Sequence, residues 1–244
     1  MSAGGDNDYD AFAAAYAAHN EAGVWNARYE RPAILRLAGP VDGLRVLDAG
    51  CGAGAHAAAL VAGGAMVTGL DASRGLLALA AERLGPGVPL HHVDLQDELP
   101  FAAGAFDLVL SALVLHYLED WAPTLRELRR VLRPGGRLVA SVHHPFMDHA
   151  LSGAPDYFAT YAIEEQWEVG GRRVPMRFWH RPLTAITAAL TDAGFALESL
   201  EEPQPEPVVR ELDPVAWAKL TTAPRFLFLA ARRAVDGPPI PSTS

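Results

Sequence analysis

Short apolar runs alternate with segments whose apolar positions recur every three or four residues between about residues 44 and 142. That alternation predicts parallel strands joined by helices. Arg45 to Ala49 reads as the first strand and Ala55 to Ala62 as the first helix, closed by Gly63-Gly64. Met66 to Leu70 is the second strand and delivers Asp71 at its C-terminal end. Ser73 then caps a helix whose Leu76, Leu77, Ala80 and Leu84 share a face. Leu90 to Val93 is a third strand ending at Asp94, and Phe106 to Leu110 a fourth, opening into Ser111-Ala112-Leu113. Leu125, Leu128 and Leu132 mark the next helix, stopped by Arg133-Pro134-Gly135-Gly136, and the strand Arg137 to Val142 follows. A further helix carries Leu183, Ile186 and Leu190, with Gly194 at its C-cap position. Phe195 to Leu200 and Phe226 to Ala230 read as the last two strands, an antiparallel pair.

Two regions break this rhythm. Residues 1–43 read as an N-terminal helical lid bearing Tyr9, Phe12, Tyr16, Trp25 and Tyr29. Residues 145–181 form a long insertion with Phe146, Tyr157, Phe158, Tyr161, Trp167, Phe178 and Trp179. Segments this long between elements are usually lids or binding elements. The expected organisation is therefore a lid over 1–43, an α/β domain over 44–235 with a cap at 145–181, and a disordered tail over 236–244.

Composition narrows the function classes. Half of the 244 residues are hydrophobic and a fifth are charged, enough for a large core. The formal net charge of −9 and the absence of a basic run argue against a nucleic-acid binder. One cysteine, Cys51, leaves neither a disulfide nor a thiolate cluster, and its place among glycines reads as a small filler. No apolar run approaches membrane-spanning length, and Met1 to Asp10 is too polar for a signal peptide, so a cytoplasmic protein is expected.

The most specific stretch is Val46-Leu47-Asp48-Ala49-Gly50-Cys51-Gly52-Ala53-Gly54. It reads as a buried strand, a tight turn and a helix start. The glycines let the backbone approach a ligand, and the helix beyond offers free N–H groups. Residues 50–55 also satisfy the dinucleotide rule G-x-G-x-x-G/A, with Asp71 about 20 residues on as a ribose-binding acid. Asp48 argues otherwise: a carboxylate at the strand tip repels a pyrophosphate and attracts an ammonium or hydroxyl. A cationic or zwitterionic cofactor with a ribose fits better, and a nicotinamide-dependent oxidoreductase stays as a rival.

Together with Asp71, Asp94-Leu95, Phe106-Asp107-Leu108-Val109-Leu110-Ser111 and Arg130-Val131-Leu132-Arg133-Pro134-Gly135-Gly136, this stretch resembles the class I S-adenosylmethionine-dependent methyltransferases. The closer likeness is to the small-molecule branch that includes ubiquinone and sterol enzymes, and it covers roughly residues 40 to 142. The resemblance implies a doubly wound, Rossmann-like, seven-stranded sheet, mostly parallel with its last strand antiparallel. It also implies S-adenosyl-L-methionine as cofactor and S-adenosyl-L-homocysteine as product. Carried over by position, Asp48, Ala49, Gly50, Cys51, Gly52 and Gly54 would wrap the methionine part, and Asp71 with Ala72 would bind the ribose hydroxyls. Asp94 and Leu95 would meet the adenine, while Ser111, Ala112, Leu113, His116 and Tyr16 would lie around the sulfonium end. An Asp after a strand can also be only a helix cap, and that reading stays beside the functional one.

Methyl transfer from a sulfonium needs alignment and exclusion of water, and a base only where the acceptor must lose a proton. His144, His143 and His116 are the catalytic candidates, and alternation lets only one of the adjacent pair face the cleft. His116 also admits a structural role. His143-His144 with His149 shows no metal-motif spacing, so no metal is expected. Tyr9, Trp25, Phe146, Tyr157 and Trp179 are candidate acceptor walls, and Arg181, like Arg177, a candidate partner for an acceptor carboxylate. No Asn-Pro-Pro-Tyr-like segment follows the fourth strand, which disfavours adenine or glutamine amide nitrogens as acceptors. The expected reaction is methylation of O, N or electron-rich C on a small aromatic or heterocyclic metabolite, by a monomer or homodimer. The alternative keeps the cofactor as an electrostatic element or sensed ligand, without transfer.

Overall fold

A computed structural model describes residues 7–234; the expected tail at 236–244 lies outside them. The chain order begins with a 3-10 turn Tyr9–Phe12, helix α1 (Ala13–Ala22), a π-helical turn Asn26–Glu30 and α2 (Arg31–Ala38). The sheet region runs β1 (Arg45–Ala49), α3 (Ala55–Ala62), β2 (Met66–Asp71), α4 (Arg74–Leu84), β3 (Leu90–His92), β4 (Phe106–Ala112). A 3-10 turn Leu115–Tyr117, α5 (Ala122–Val131) and β5 (Leu132–His143) follow. The second half holds α6 (Pro145–Ser152), β6 (Tyr161–Val169), β7 (Arg172–His180), α7 (Leu183–Asp192), β8 (Phe195–Glu201), α8 (Val209–Leu212), α9 (Pro214–Thr222) and β9 (Phe226–Arg233).

Seven strands form one sheet in the order β3-β2-β1-β4-β5-β9-β8. Neighbours from β3 to β5 run parallel, and β9 is antiparallel to both β5 and β8. The central strands are buried on both faces, so their sequence is continuously apolar. Leu47, Val109 and Leu138 pack with Leu125, Leu128 and Ile186 on one face. Val46, Leu108 and Val139 pack with Ile34, Leu60 and Phe228 on the other. The period-two alternation thus builds a core on each side of one sheet.

One expectation is corrected. Leu132, taken as the last residue of a helical face, is the first residue of β5: α5 ends at Val131, and Leu132 pairs with Phe106 before the register resumes at Leu108 and Arg137. Strand pairing with β4 outweighs a helical period that a single leucine had extended. The insertion at 145–181 is built from α6 followed by the antiparallel hairpin β6–β7. Its turn, Gly170-Gly171, has φ of 58° and 74°, the left-handed pair that a two-residue hairpin turn requires.

That hairpin meets the N-terminal segment. Phe12, Val169 and Met176 make a small buried cluster with Tyr9, Tyr16, Tyr117, Trp167 and Val174 packed against it. The Asn7 side chain closes the seam, donating to Arg177 O and accepting from Arg177 N–H, both at 2.8 Å. Among the described residues, no helix is long and apolar enough to cross a membrane.

Candidate active site

The carboxyl ends of β1, β2, β3, β4 and β5 meet along one edge, where ligands bind in open α/β sheets. Gly50 sits at φ 85°, and a Cβ there would collide with the Val114 side chain. The N–H groups of Gly50 and Cys51 both donate to Leu70 O at 2.9 Å, which folds the loop sharply over the tip of β2. The two oxygens of Asp71 accept from Gly52 N–H and Ser73 N–H, each at 2.8 Å. Asp71 therefore staples the glycine loop to Ser73, the residue that caps α4. Each carboxylate oxygen still has a second lone pair for a hydroxyl. Burial pushes its carboxyl up, against the pull of these backbone donors. Ser73 caps α4 through Leu76 N–H, and its own hydroxyl donates to Asp10 at 2.5 Å. Gly75 N–H adds a second bond to Asp10 at 2.8 Å, so the N-terminal segment is latched beside the loop.

Asp94 lies exposed just beyond β3, one oxygen accepting from Gln96 N–H at 2.9 Å. Leu95 beside it is buried, and its carbonyl accepts from Thr124 Oγ1. Ala49 is buried, while the Ala72 carbonyl meets His92 Nε2 at 2.9 Å. Cys51 is buried too, and burial raises its thiol far above the ordinary range.

Beneath the glycine loop lies a polar core that the sequence did not announce. Asp48 is fully buried, and neither of its carboxylate oxygens makes a hydrogen bond of ordinary geometry, although the Ala57 backbone N–H is close enough to lower its pKa. Burial raises its pKa from 3.8 to about 6, with the His56 charge pulling it down and Asp71 and Glu30 adding to the rise. Glu30, placed inward by the π-helical turn, accepts from Ser141 Oγ at 2.6 Å and pairs with His56 Nε2 at 2.8 Å. Ser141 in turn receives the Leu113 N–H on both its Oγ and its carbonyl, each at 3.0 Å. Those bonds hold Leu113 at φ 55°, a strained value for a leucine, directly after β4. Ser111 Oγ, one turn of the pleat earlier, is buried without a partner.

Beyond β4 and β5, His116 and His143 stack at 3.9 Å with 14° between planes. Phe178 of the hairpin stands edge-on to His143 at 4.6 Å, and Tyr117 leans on His116 at 4.4 Å. Neither nitrogen of His116 has a partner. Burial and the neighbouring positive groups lower both imidazoles, His143 to about 3, so they are neutral at physiological pH. His144 stands apart from this pair. Its Nε2 bonds Glu202 at 2.7 Å and its Nδ1 caps α6 by accepting from Phe146 N–H at 3.3 Å.

The acceptor candidates divide. Tyr9, hydrogen-bonded to Tyr117 at 2.6 Å and edge-on to Tyr16 at 4.7 Å, belongs to the seam between lid and hairpin. Phe146 and Tyr157 meet at 5.2 Å, with Phe146 half exposed. Trp25 packs against the core beside α2, and Trp179 lies under the Arg177 guanidinium at 5.2 Å. Arg181 departs from the expectation: its guanidinium donates to Leu118 O and Glu119 O and covers Trp121 at 4.6 Å. It ties two backbone segments together instead of reaching for a carboxylate. Among the described residues, no cluster of three or more metal-ligating side chains occurs.

Residues 47–140 match the family described as a methyltransferase domain. A solved S-adenosylmethionine-dependent methyltransferase from Mesorhizobium loti is 30% identical, with a TM-score of 0.67 covering 88% of this chain and 100% of that one. An uncharacterized methyltransferase of Bacillus subtilis (strain 168), YodH, is 30% identical over 78% of this chain and 80% of its own. The chain belongs to the S-adenosylmethionine-dependent methyltransferases. A malonyl-[acyl-carrier protein] O-methyltransferase of Erwinia pyrifoliae is 36% identical over 67% of this methyltransferase, which spans 59% of that relative's length. S-adenosylmethionine is the cofactor, and the donor set fits it. A buried carboxylate without an ordinary hydrogen bond at Asp48 suits an ammonium, the spare lone pairs of Asp71 suit a diol, and the turn at Gly50 leaves no Cβ in the way.

Proposed function

We propose that this methyltransferase acts on O, N or an electron-rich carbon of a small aromatic or heterocyclic metabolite. The observation that carries the reading is the pair of neutral, stacked imidazoles at the ends of β4 and β5, walled by Phe178. A flat, uncharged aromatic wall favours a flat acceptor, and neutral imidazoles do not repel a positive sulfur.

The cofactor supplies a methyl group already activated on a positively charged sulfur. The chain's part is to bind, align and keep water out, which supplies several kcal/mol of the barrier. Asp48, Ala49 and residues 50–54 would hold the methionine moiety, Asp71 and Ala72 the ribose, and Asp94 and Leu95 the adenine. Ser111, Ala112, Leu113, His116 and Tyr16 would surround the reacting end. The N-terminal lid and the 145–181 cap, stitched together through Asn7 and the Tyr9–Tyr117 bond, would cover the acceptor. Tyr9, Trp25, Phe146, Tyr157 and Trp179 are its candidate walls, while Arg181 is a strut. A small molecule is the expected partner, the net charge of −9 being unsuited to nucleic acid. A cytoplasmic monomer or homodimer completes the reading.

Calorimetry with S-adenosylmethionine, followed by a screen of phenols and N-heterocycles read by release of S-adenosylhomocysteine, tests it. Methylated phenol or heterocycle is the expected product. Turnover of an acceptor with the cofactor unconsumed would instead favour the electrostatic alternative.

A further inference from the structure

Arg225 belongs to none of the motifs above, yet the fold carries it to the reacting end. It stands immediately before β9, whose first residue, Phe226, pairs with His143 at the end of β5. The Arg225 carbonyl accepts from His144 N–H at 3.0 Å, which fixes its backbone at the carboxyl edge of the sheet. The rings around it are flat and layered. Phe226 lies 6.1 Å from His143 with 24° between planes, and His143 stacks in turn on His116. The positive charge of Arg225 acts on His116, His143 and Asp148 alike, so the guanidinium lies on the side of the sheet edge that they occupy. Among the described residues, this half-buried side chain makes no hydrogen bond, and no carboxylate comes within salt-bridge distance of it. Its nitrogens are not sealed, so a ligand can reach them.

The neighbouring charged groups are engaged elsewhere. Arg181, the other cation acting on His116, commits its guanidinium to Leu118 O and Glu119 O. Glu202 is bonded to His144 Nε2. Asp148, buried in the first turn of α6, turns its carboxylate to within 3.5 Å of His143 Nδ1. Burial lifts that carboxyl to about 7, with Arg225 the first of the charges pulling the other way, so at neutral pH it is only partly ionised. A cation thus stands at the acceptor end without a matched counterion.

We propose that Arg225 sets the acceptor's class by pairing with a carboxylate on it. The inference rests on the methyl-transfer reading above and adds a charge to the flat acceptor described there. A guanidinium fork matches a carboxylate through two parallel N–H···O bonds, a geometry that a point charge lacks. One fork with Asp148 and Glu202 nearby suits a planar monoanion, whereas a phosphate dianion would meet both carboxylates. The acceptor is then an aromatic or heterocyclic acid, its ring beside the stacked imidazoles and its carboxylate on Arg225.

Calorimetry on the full-length protein near neutral pH, with and without S-adenosylhomocysteine, tests the pairing. The probes are benzoate, salicylate and nicotinate, each against its primary amide, and phenyl phosphate. At least one acid is expected to bind about 10-fold or more tightly than its amide, and more tightly than phenyl phosphate. In Arg225→Gln that preference is expected to vanish. In Arg225→Lys, which keeps the charge but not the fork, it is expected to survive in part. S-adenosylhomocysteine affinity, set at the tips of β1 and β2, should be unchanged in both variants. Asp148→Asn, which removes a competing charge, should keep the preference or raise it. The proposal is overturned if no acid binds above its amide at millimolar concentration, if phenyl phosphate binds more tightly, or if the preference survives in Arg225→Gln. Equal loss in Asp148→Asn would mark Arg225 and Asp148 as a structural pair and overturn it as well, as would a matching loss of S-adenosylhomocysteine affinity in Arg225→Gln. Failure of the wild-type protein to bind S-adenosylhomocysteine would instead count against the methyl-transfer reading, since the acid–amide comparison is also read without it.

Discussion

Replacing Asp48 by Asn should shift the stability of the ligand-free protein in the variant's favour as pH rises from about 4 to above about 6. The carboxyl is wholly buried and makes no hydrogen bond of ordinary geometry, so its charged form is disfavoured in the folded state. Its pKa rises from 3.8 to about 6 on folding. Between those two values the folded chain holds a proton that the unfolded chain has released. The wild-type protein therefore loses stability as pH climbs through this window and stays weakened above it. At about 1.4 kcal/mol per pH unit, a window of about two units amounts to about 3 kcal/mol. The Asn variant carries no such titration. Its amide is also buried without ordinary hydrogen bonds, which subtracts a constant of about 1–3 kcal/mol at every pH. The informative quantity is thus the change with pH in the stability difference between variant and wild type. Urea unfolding of both proteins at pH 4 and pH 7.5 measures it. The difference should shift in favour of the variant by about 3 kcal/mol between the two. Parallel stability curves would falsify the idea that Asp48 is held as a strained, ligand-seeking carboxylate. The same variant should bind S-adenosylmethionine more weakly, because the charge that destabilises the empty fold is the one offered to the ammonium.

Four further outcomes follow from the geometry. Asp71→Ala, which removes the loop staple and the diol acceptor together, should weaken S-adenosylmethionine binding by about 10-fold or more in calorimetry; an unchanged affinity would dissolve the ribose-site assignment. Gly50→Ala should destabilise the fold by about 1–3 kcal/mol and depress cofactor affinity, because φ 85° and the Val114 side chain both oppose a Cβ. Glu30→Ala strips His56 and Ser141 of their shared partner inside the core and should lower unfolding free energy by about 3–5 kcal/mol, read by urea titration. Asp107, held well below the usual carboxylate range mainly by Arg45 and also by Arg133, serves as the control at the opposite end of the sheet. Asp107→Ala should lose about 1–2 kcal/mol at neutral pH, a loss that vanishes as pH falls through the acid range, with cofactor affinity unchanged.

The sequence by itself determined the sheet and the tips of its strands. The central strands β1 and β4 are contiguous runs buried on both faces, and Asp48, Asp71 and Asp94 lie at or just beyond the ends of β1, β2 and β3. The turn at Gly50 was legible for the same reason, since one residue's backbone freedom is a local property. The hairpin was legible too, in Gly170-Gly171 between runs of alternating polarity, although the aromatic residues around it drew attention to pocket walls instead. Leu132 shows the limit of periodicity: pairing with Phe106 on β4 decided its state. Tertiary structure alone decided which side chains meet. Glu30 joins His56 from 26 residues away and Ser141 from 111, distances at which no sequence period operates. The partition of His143 and His144, one stacked on His116 and the other spent on Glu202 and the α6 cap, depends likewise on elements far apart in the chain. Local sequence sets backbone states through sterics and burial pattern, whereas charge, proton and acceptor chemistry depend on neighbours that only the packed fold brings within bonding distance.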